Sequence, residues 1–223
     1  MKISELSNTS LRFITAGIMF AVLLAVVAIE SKYPTIHAVR WLSVLVVSGA
    51  IFETFKCFKN ADSETFNKHF VYFIVFFLLL ILMLGAAYFV GARPWIMLWL
   101  LMIVVGADVG GWIFGHIFGG DKMWERISAH KTWSGQIGGI ICGTIMSVLF
   151  FWYVKPYGND IVFALLMGIS MSLLSQYGDL TASFIKRCLN IKDFGNLLPG
   201  HGGILDRFDG WIYILPLMWF FIK

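Results

Sequence analysis

The residue types best suited to chemistry in this sequence are carboxylates and cations that recur at helical spacing toward the C-terminus. Asp179, Ser183, Lys186 and Arg187 stand at positions i, i+4, i+7 and i+8. Side chains at these spacings lie on one face of an α-helix. One face would therefore carry a carboxylate, a hydroxyl and two cations, and such groups bind metal ions and phosphates.

A second pair of carboxylates, Asp206 and Asp209, lies three residues apart and would also share a helical face. Adjacent carboxylates repel each other unless a cation lies between them, and oxygen-only ligands suit Mg²⁺. The glycine-rich segment "PGHGG", residues 199–203, precedes this pair. Unpaired N–H groups at the start of a helix favour an anion. The sequence therefore predicts a metal-and-phosphate site near the start of the last helix.

Cations that suit phosphate groups are concentrated in the same part of the chain. They are Lys131, Lys186, Arg187, Lys192 and Arg207. Taken alone, such residues are typical signals of membrane topology. The combination of carboxylates, cations and glycines favours a functional site instead.

Asp108 is a further carboxylate, and it lies inside an apolar run that reads "VVGADVGGWIFG". An ionisable side chain within hydrocarbon costs several kcal/mol unless it is paired or solvated. Asp108 could therefore serve as a paired structural residue or as part of the site, and the sequence leaves both readings open.

The elements that must position these residues are transmembrane helices. The chain has 223 residues, of which 59% are hydrophobic and 13% are charged, and this composition is typical of a protein built for lipid. The apolar runs predict an all-α, polytopic integral membrane protein with about seven transmembrane helices, six to eight being compatible with the sequence. The predicted spans are 11–29, 37–56, 70–90, 94–117, 136–154, 160–182 and 203–222.

Charged residues fall within the second and the last of these predicted spans. The second is the weakest, because Arg40 and Glu53 interrupt it. The last must begin near Gly203, since the apolar run after Gly210 is too short to cross a membrane. Glycine-rich runs elsewhere, such as "GQIGGIICG", indicate close helix packing.

The distribution of Lys and Arg predicts the orientation, because these residues are enriched in cytoplasmic loops. With seven spans, one side of the membrane holds twelve of the 17 Lys and Arg residues and the other side holds five. This bias predicts that the N-terminus and the loops 59–68, 119–135 and 184–203 face the cytoplasm. The predicted location is the inner, or plasma, membrane, with the active site on its cytoplasmic face.

The C-terminal stretch "SFIKRCLNIKDFGNLLPGHGGILDRFD", residues 183–209, resembles the signature of the phosphatidate cytidylyltransferase (CDP-diacylglycerol synthase) family. That pattern reads S-x-x-K-R, four residues, K-D-x-G, and then L-P-x-H-G-G-x-x-D-R-x-D. Every fixed position of it is filled. Upstream, "GADVGGWIFGHIFGG" and "SAHKTWSG" resemble the Asp-containing fourth span and the S-P-x-K-T-x-x-G loop of the family, although Ala129 stands where proline is usual.

The resemblance implies an enzyme that transfers a cytidylyl group from CTP to phosphatidate, giving CDP-diacylglycerol and pyrophosphate in phospholipid biosynthesis. It covers roughly residues 100–223. We therefore expect residues 1–95 to form generic transmembrane helices, and residues 96–223 to form the catalytic membrane region with the signature at 183–209. The implied partners are CTP, phosphatidate and the lipid bilayer, without nucleic acid, and a homodimer is compatible with the sequence.

The resemblance also implies roles for individual residues. The implied metal ligands, for Mg²⁺ and with a second cation allowed, are Asp179 and Asp206, supported by Asp209. The implied catalytic residues are Asp179, Ser183, Lys186, Asp206 and Asp209. The implied phosphate-binding residues are Lys131, Lys186, Arg187, Lys192, His201, Gly202, Gly203 and Arg207. Asp108 receives no firm role.

Three other classes of protein share some of these sequence features. A secondary transporter would also use intramembrane carboxylates, but no internal repeat is visible and the charges collect at one end of the helices. A CDP-alcohol phosphatidyltransferase would carry a D-G-x-x-A-R pattern, whereas Asp209-Gly210 is followed by "WIYI". A related CDP-prenyl-lipid synthase remains an alternative, because lipid chains contact apolar helix surfaces that say little about their identity.

Overall fold

The computed structural model describes residues 8–154 and 160–222, and these residues are mainly helical. The helices are α1 (Asn8–Lys32), α2 (Ala38–Asn60), α3 (Ser63–Val90), α4 (Pro94–Phe118), α5 (Trp133–Val154), α6 (Ile161–Cys188), α7 (Leu205–Phe208) and α8 (Trp211–Phe221). A 3-10 turn, Pro34–Ile36, precedes α2. Two short antiparallel strands, β1 (Lys122–Trp124) and β2 (Ser128–Thr132), form a hairpin between α4 and α5. The predicted all-α class is confirmed.

Six helices in the described part of the chain are long and apolar enough to cross a membrane. The candidate spans are Phe13–Lys32, Pro34–Asn60, Ser63–Val90, Pro94–Phe118, Trp133–Val154 and Ile161–Cys188. They coincide with the first six predicted spans, including the second, which the sequence had made the weakest. The chain is therefore a polytopic helical membrane protein.

The predicted seventh span is not one continuous helix, and this part of the prediction is wrong. The segment forms the four-residue α7 and the 11-residue α8, with Asp209 and Gly210 between them. At about 1.5 Å per residue, α8 is roughly 16 Å long, about half the thickness of a hydrocarbon core. Asp206 and Asp209 therefore lie outside the last apolar helix and not in its first turns. At the break, Gly210 approaches α6 closely, since a side chain there would lie 2.6 Å from Ser175 Oγ.

The chain forms two compact units. The first consists of Met1–Pro94 and Ile185–Phe208, and the second consists of Trp95–Phe184 and Asp209–Lys223. Helix α6 contributes to both, because its residues up to Phe184 belong to the second unit and its last turn belongs to the first. The predicted functional division between residues 1–95 and 96–223 is a separate matter and stays a prediction.

In the first unit, α2 and α3 pack along an apolar seam that includes Val47, Ala50 and Phe76, all of them buried. The charge of Arg40, which weakened the second predicted span, is accommodated locally. Its guanidinium carbon lies 4.7 Å from the centre of the Tyr88 ring, a distance at which a cation and an aromatic face attract each other. An aromatic ring therefore contacts this arginine near the start of the apolar helix.

In the second unit, α5 approaches α4 and α6 through its glycines. A side chain at Gly143 would overlap Ser172 Oγ of α6 and would lie 3.0 Å from the carbonyl oxygen of Ile103 in α4. At Gly135, a Cβ would lie 2.8 Å from the carbonyl oxygen of Gly111. These approaches confirm the close packing that the glycine-rich run of α5 predicted.

We predict that Gly143→Ala lowers the thermal unfolding midpoint of the detergent-purified protein, because overpacking a close helix contact costs about 1–3 kcal/mol. The matched control is Gly85→Ala in α3, where an ideal Cβ meets nothing within 4 Å. There the substitution should be neutral, or stabilising by up to about 1 kcal/mol through helix propensity. Equal losses for the two variants would contradict the packing described for α5.

Candidate active site

The carboxylate of Asp206 accepts hydrogen bonds from three donors in the first unit. Its side chain is only 4% exposed. Its Oδ1 accepts from Lys186 Nζ at 2.8 Å. Its Oδ2 accepts from the backbone N–H groups of Phe194 at 2.8 Å and Gly203 at 3.0 Å. One carboxylate therefore ties the last turn of α6 to two points, Phe194 and Gly203, in the connection between α6 and α7, residues 189–204, which we call the signature loop.

The signature loop contains a tight turn at residues 198–202. The N–H of Leu198 donates to the carbonyl oxygen of Gly202 at 2.9 Å. Gly200 has a φ of +76° and Gly202 a φ of +86°, in the left-handed region that favours glycine. Arg207 holds the same turn, since its Nε and Nη2 donate to the carbonyl oxygen of His201 at 2.9 Å and 2.8 Å. The glycine-rich stretch is therefore an ordered turn that a guanidinium clamps.

Helices α1 and α2 also hold the signature loop. Thr15 Oγ1 donates to the carbonyl oxygen of Pro199 at 2.8 Å, and Cys57 Sγ donates to the carbonyl oxygen of Phe194 at 2.9 Å. Glu53 Oε2 accepts from the N–H of Ile204 at 2.6 Å. Sequence reasoning missed these contacts. The available signal is Glu53 itself, a carboxylate within an apolar run that the sequence marks only as an interruption of the second span.

A second group of predicted site residues lies together in the second unit. Lys131 Nζ is 2.7 Å from Asp179 Oδ2, and Ser183 Oγ donates to Asp179 Oδ1 at 3.3 Å. Lys131 Nζ also donates to the carbonyl oxygen of Gln176 at 3.3 Å. The exposed fractions of the Lys131 and Asp179 side chains are 23% and 42%, so this pair is far more accessible than Lys186–Asp206. Asp108, exposed on α4, interacts electrostatically with both members of the pair.

Asp209 also belongs to the second unit. Its Oδ1 accepts from the N–H of the following residue, Gly210, at 2.9 Å. Its carbonyl oxygen lies against Gly178 of α6, where a side chain would overlap it. Gly178 precedes Asp179 directly, so the backbone of Asp209 packs beside the residue that carries the Asp179 carboxylate.

The predicted site residues therefore divide into two groups of contacts. Lys186, Asp206 and Gly203 meet in the first unit, and Lys131, Asp179 and Ser183 meet in the second. Arg187 and Lys192 are exposed.

Two of the predicted phosphate-binding residues, Gly203 and His201, direct polar atoms into the protein in this structure. The N–H of Gly203 is donated to Asp206. The Nδ1 atom of His201 is enclosed and has no hydrogen-bond partner among the described residues.

The donor chemistry of both groups fits a hard cation. In the described residues no three His, Cys, Asp or Glu side chains are assembled as a metal site. Mg²⁺ does not require such a cage, because it is usually bound by one or two carboxylates together with waters and substrate phosphates. A carboxylate offers about four lone-pair sites, of which Asp206 uses three and Asp179 two in the contacts described above. Both therefore retain acceptor capacity.

We predict that Lys186→Gln destabilises the protein much more than Lys131→Gln. Removing one partner of a buried ion pair costs about 3–5 kcal/mol, because the other charge stays buried, whereas an exposed pair contributes about 0–1 kcal/mol. Thermal unfolding in detergent measures the difference. Asp206→Asn in the Lys186→Gln background should recover part of the loss, since it removes the unpaired charge. A larger loss for Lys131→Gln would contradict this difference in burial.

Comparison with known proteins identifies the family of the chain. The model of the family described as "Cytidylyltransferase family" matches residues 1–223, the whole chain. A protein named phosphatidate cytidylyltransferase from Staphylococcus haemolyticus is 41% identical over 138 residues, which cover 60% of this chain and 53% of the relative. Proteins of the same name from Staphylococcus epidermidis and Staphylococcus aureus are 43% and 40% identical over 121 residues, or 54% of this chain and 46% of each relative.

The matched region thus spans about half the length of these relatives. The family predicted from the signature is confirmed, because the family model covers every residue of the chain. The chain belongs to the cytidylyltransferase family.

Proposed function

We propose that this chain transfers the cytidylyl group of CTP to phosphatidate and so makes CDP-diacylglycerol within a membrane. The observation that carries the proposal is the folding of residues 185–208, the part of the signature in the first unit, around the Lys186–Asp206 pair, with the Arg207 guanidinium bound to the loop. The printed name of the staphylococcal relatives supports the choice of lipid substrate. The six candidate membrane spans support a location in a membrane, where a lipid substrate would be held.

The proposed reaction needs no nucleophile from the enzyme. A phosphate oxygen of phosphatidate attacks the α-phosphorus of CTP, the bond between that phosphorus and the oxygen bridging to the β-phosphate breaks, and pyrophosphate leaves. The protein must then position two polyanions and neutralise the charge that develops in the transition state. The cations proposed for this task are Lys131, Lys186, Arg187, Lys192 and Arg207. Ser183 and the 201–203 turn would assist in holding phosphates.

Mg²⁺ is the proposed cofactor, with a second cation allowed. Asp179 and Asp206 would hold it, with Asp209 in support. When bound, it would polarise phosphoryl oxygens and neutralise their charge. The support for this assignment is the donor chemistry, since hard cations of this kind prefer carboxylate oxygens.

The alternative activity is the same transfer onto a prenyl-chain lipid phosphate. It uses the same reacting groups and differs only in the apolar surface that the lipid contacts. A panel of phosphatidate and prenyl phosphates, each given with labelled CTP and Mg²⁺, distinguishes the two. Transport of a solute without nucleotide turnover would favour the secondary transporter.

The proposed location is the plasma membrane, with the β-hairpin and the signature loop on the cytoplasmic side. Two arguments support this orientation: the excess of Lys and Arg on that side, and the need of the site for cytoplasmic CTP. A homodimer is also proposed, and sedimentation or light scattering of the purified protein would test it.

We predict that purified protein makes CDP-diacylglycerol from labelled CTP and phosphatidate with Mg²⁺, and that Asp206→Asn and Asp179→Asn abolish most turnover. Asparagine keeps the shape of aspartate but lacks the anion that holds a divalent cation. The expected loss is on the order of 10³-fold or more.

The matched control is Asp62→Asn. Asp62 is an exposed residue whose side chain accepts from the N–H of Thr65 and caps α3, and asparagine caps helices equally well. This variant should keep normal turnover. Near-normal turnover of Asp206→Asn at limiting Mg²⁺ would remove that residue from the metal site, and absence of product with every lipid would remove the proposed activity.

The proposed orientation predicts the accessibility of engineered cysteines. In intact cells, a membrane-impermeant maleimide should leave Glu64→Cys and Glu125→Cys unlabelled and should label Thr35→Cys. All three positions are exposed, in the first turn of α3, the hairpin and the 3-10 turn respectively. Permeabilised cells should show labelling at all three, with the unsubstituted protein giving the background of the native thiols. Strong labelling of Glu125→Cys from outside would overturn the orientation.

A further inference from the structure

Glu53 is a buried carboxylate that the proposed chemistry does not use. It lies in a helix that is a candidate membrane span, and its side chain is only 4% exposed. Its Oε2 accepts from the N–H of Ile204 at 2.6 Å, while its Oε1 has no hydrogen-bond partner among the described residues. The backbone amides of Leu197 and Leu205 also lie near this carboxylate. Burying a carboxylate in an apolar helix costs free energy of folding unless the carboxylate makes compensating contacts. The contacts of Glu53 therefore indicate its role.

Two signature glycines make room for Glu53. At Gly195, the three atoms nearest to an ideal Cβ all belong to Glu53, and the Cβ would overlap Oε1. At Gly203, a Cβ would lie 2.6 Å from Glu53 Oε2 and 2.8 Å from the backbone nitrogen of Gly195. The signature loop therefore packs its bare backbone against the Glu53 carboxylate from two sides.

The contact with Glu53 lies next to Asp206 along the backbone. The N–H of Gly203 donates to Asp206, and the N–H of the next residue, Ile204, donates to Glu53. Two consecutive amides are therefore fixed by two carboxylates immediately before α7. Because Asp206 is two residues beyond Ile204, a rotation of the Ile204 peptide would displace the Asp206 carboxylate.

The face of α2 that carries Glu53 contacts the signature loop at several positions. Gly49, Glu53 and Cys57 stand at i, i+4 and i+8 on this face. A side chain at Gly49 would lie 2.6 Å from Ile204 Cδ1, and the Cys57 thiol donates to the carbonyl oxygen of Phe194. One helical stripe therefore contacts the loop at both of the places where Asp206 accepts a backbone hydrogen bond.

We propose that Glu53 is a positioning residue for the Asp206 carboxylate. It holds the Ile204 peptide through a charge-assisted hydrogen bond and fills the space that Gly195 and Gly203 leave open. Glu53 itself touches no substrate. The consequence for catalysis rests on the proposed function, whereas the contact between Glu53 and the two glycines does not.

The contact is tested with a double-mutant cycle in thermal unfolding, which needs no activity. Gly195→Ala should lower the unfolding midpoint of the wild-type protein and should cost little in a Glu53→Ala background, because the three atoms nearest to its Cβ are then gone. Gly203→Ala is the matched control. It should stay destabilising in both backgrounds, since its Cβ also meets the Gly195 backbone. An equal cost of Gly195→Ala in both backgrounds would overturn the proposal.

The consequence for catalysis is tested by comparing Glu53→Gln with Glu53→Ala in the CDP-diacylglycerol assay, below the unfolding midpoint of both. Glutamine retains an acceptor for the Ile204 N–H and should keep most of kcat. Alanine should lower kcat by about 10²-fold, the effect of displacing a catalytic group by about 1 Å, with little change in the KM for CTP. Wild-type kcat in Glu53→Ala would overturn the positioning role. Absence of product from the wild-type protein would instead overturn the proposed function, while the unfolding cycle would still decide the contact.

Discussion

The interaction on which the first unit depends is the set of three hydrogen bonds to the Asp206 carboxylate. A loop beside apolar helices has backbone N–H groups that must find acceptors, because an unpaired buried donor costs about 1–3 kcal/mol. Asp206 provides acceptors for two of them, Phe194 and Gly203, and Lys186 supplies the opposite charge. The same contacts that satisfy the loop therefore fix the residue proposed to bind metal.

The signature loop does not hold this geometry alone. Thr15 of α1 and Glu53 and Cys57 of α2 each hydrogen-bond its backbone, at Pro199, Ile204 and Phe194 respectively. These helices lie outside the signature at residues 183–209, and their sequence is mainly that of apolar spans. They contribute a few polar atoms that hydrogen-bond the backbone of the loop. The sequence of the helices does not reveal this role, because it depends on the loop folding against them.

The sequence predicted the membrane-spanning helices better than the partners in the ion pairs. Six spans followed from the length of the apolar runs, and the residue types of the site followed from the signature. The partner of each lysine did not follow. Lys186 lies seven residues after Asp179 on α6, about 10.5 Å along the helix axis, which is too far for an ion pair. Its partner is Asp206, twenty residues away in sequence, whereas Asp179 pairs with Lys131. Such pairings depend on tertiary contacts that helical spacing cannot reveal, as does the break between α7 and α8.

The two lysine–carboxylate pairs differ in burial, and this difference suits different tasks. In Lys186–Asp206 the side chains are 13% and 4% exposed, so separating them would leave a charge without water. In Lys131–Asp179 they are 23% and 42% exposed, and water can replace either partner at small cost. Under the proposed function, the exposed Lys131 could exchange its carboxylate for a substrate phosphate, and Asp179 would be one of the residues that hold the proposed cation. The buried Lys186–Asp206 pair is suited to keep the signature loop, and the phosphate- and cation-binding groups proposed around it, in a fixed geometry.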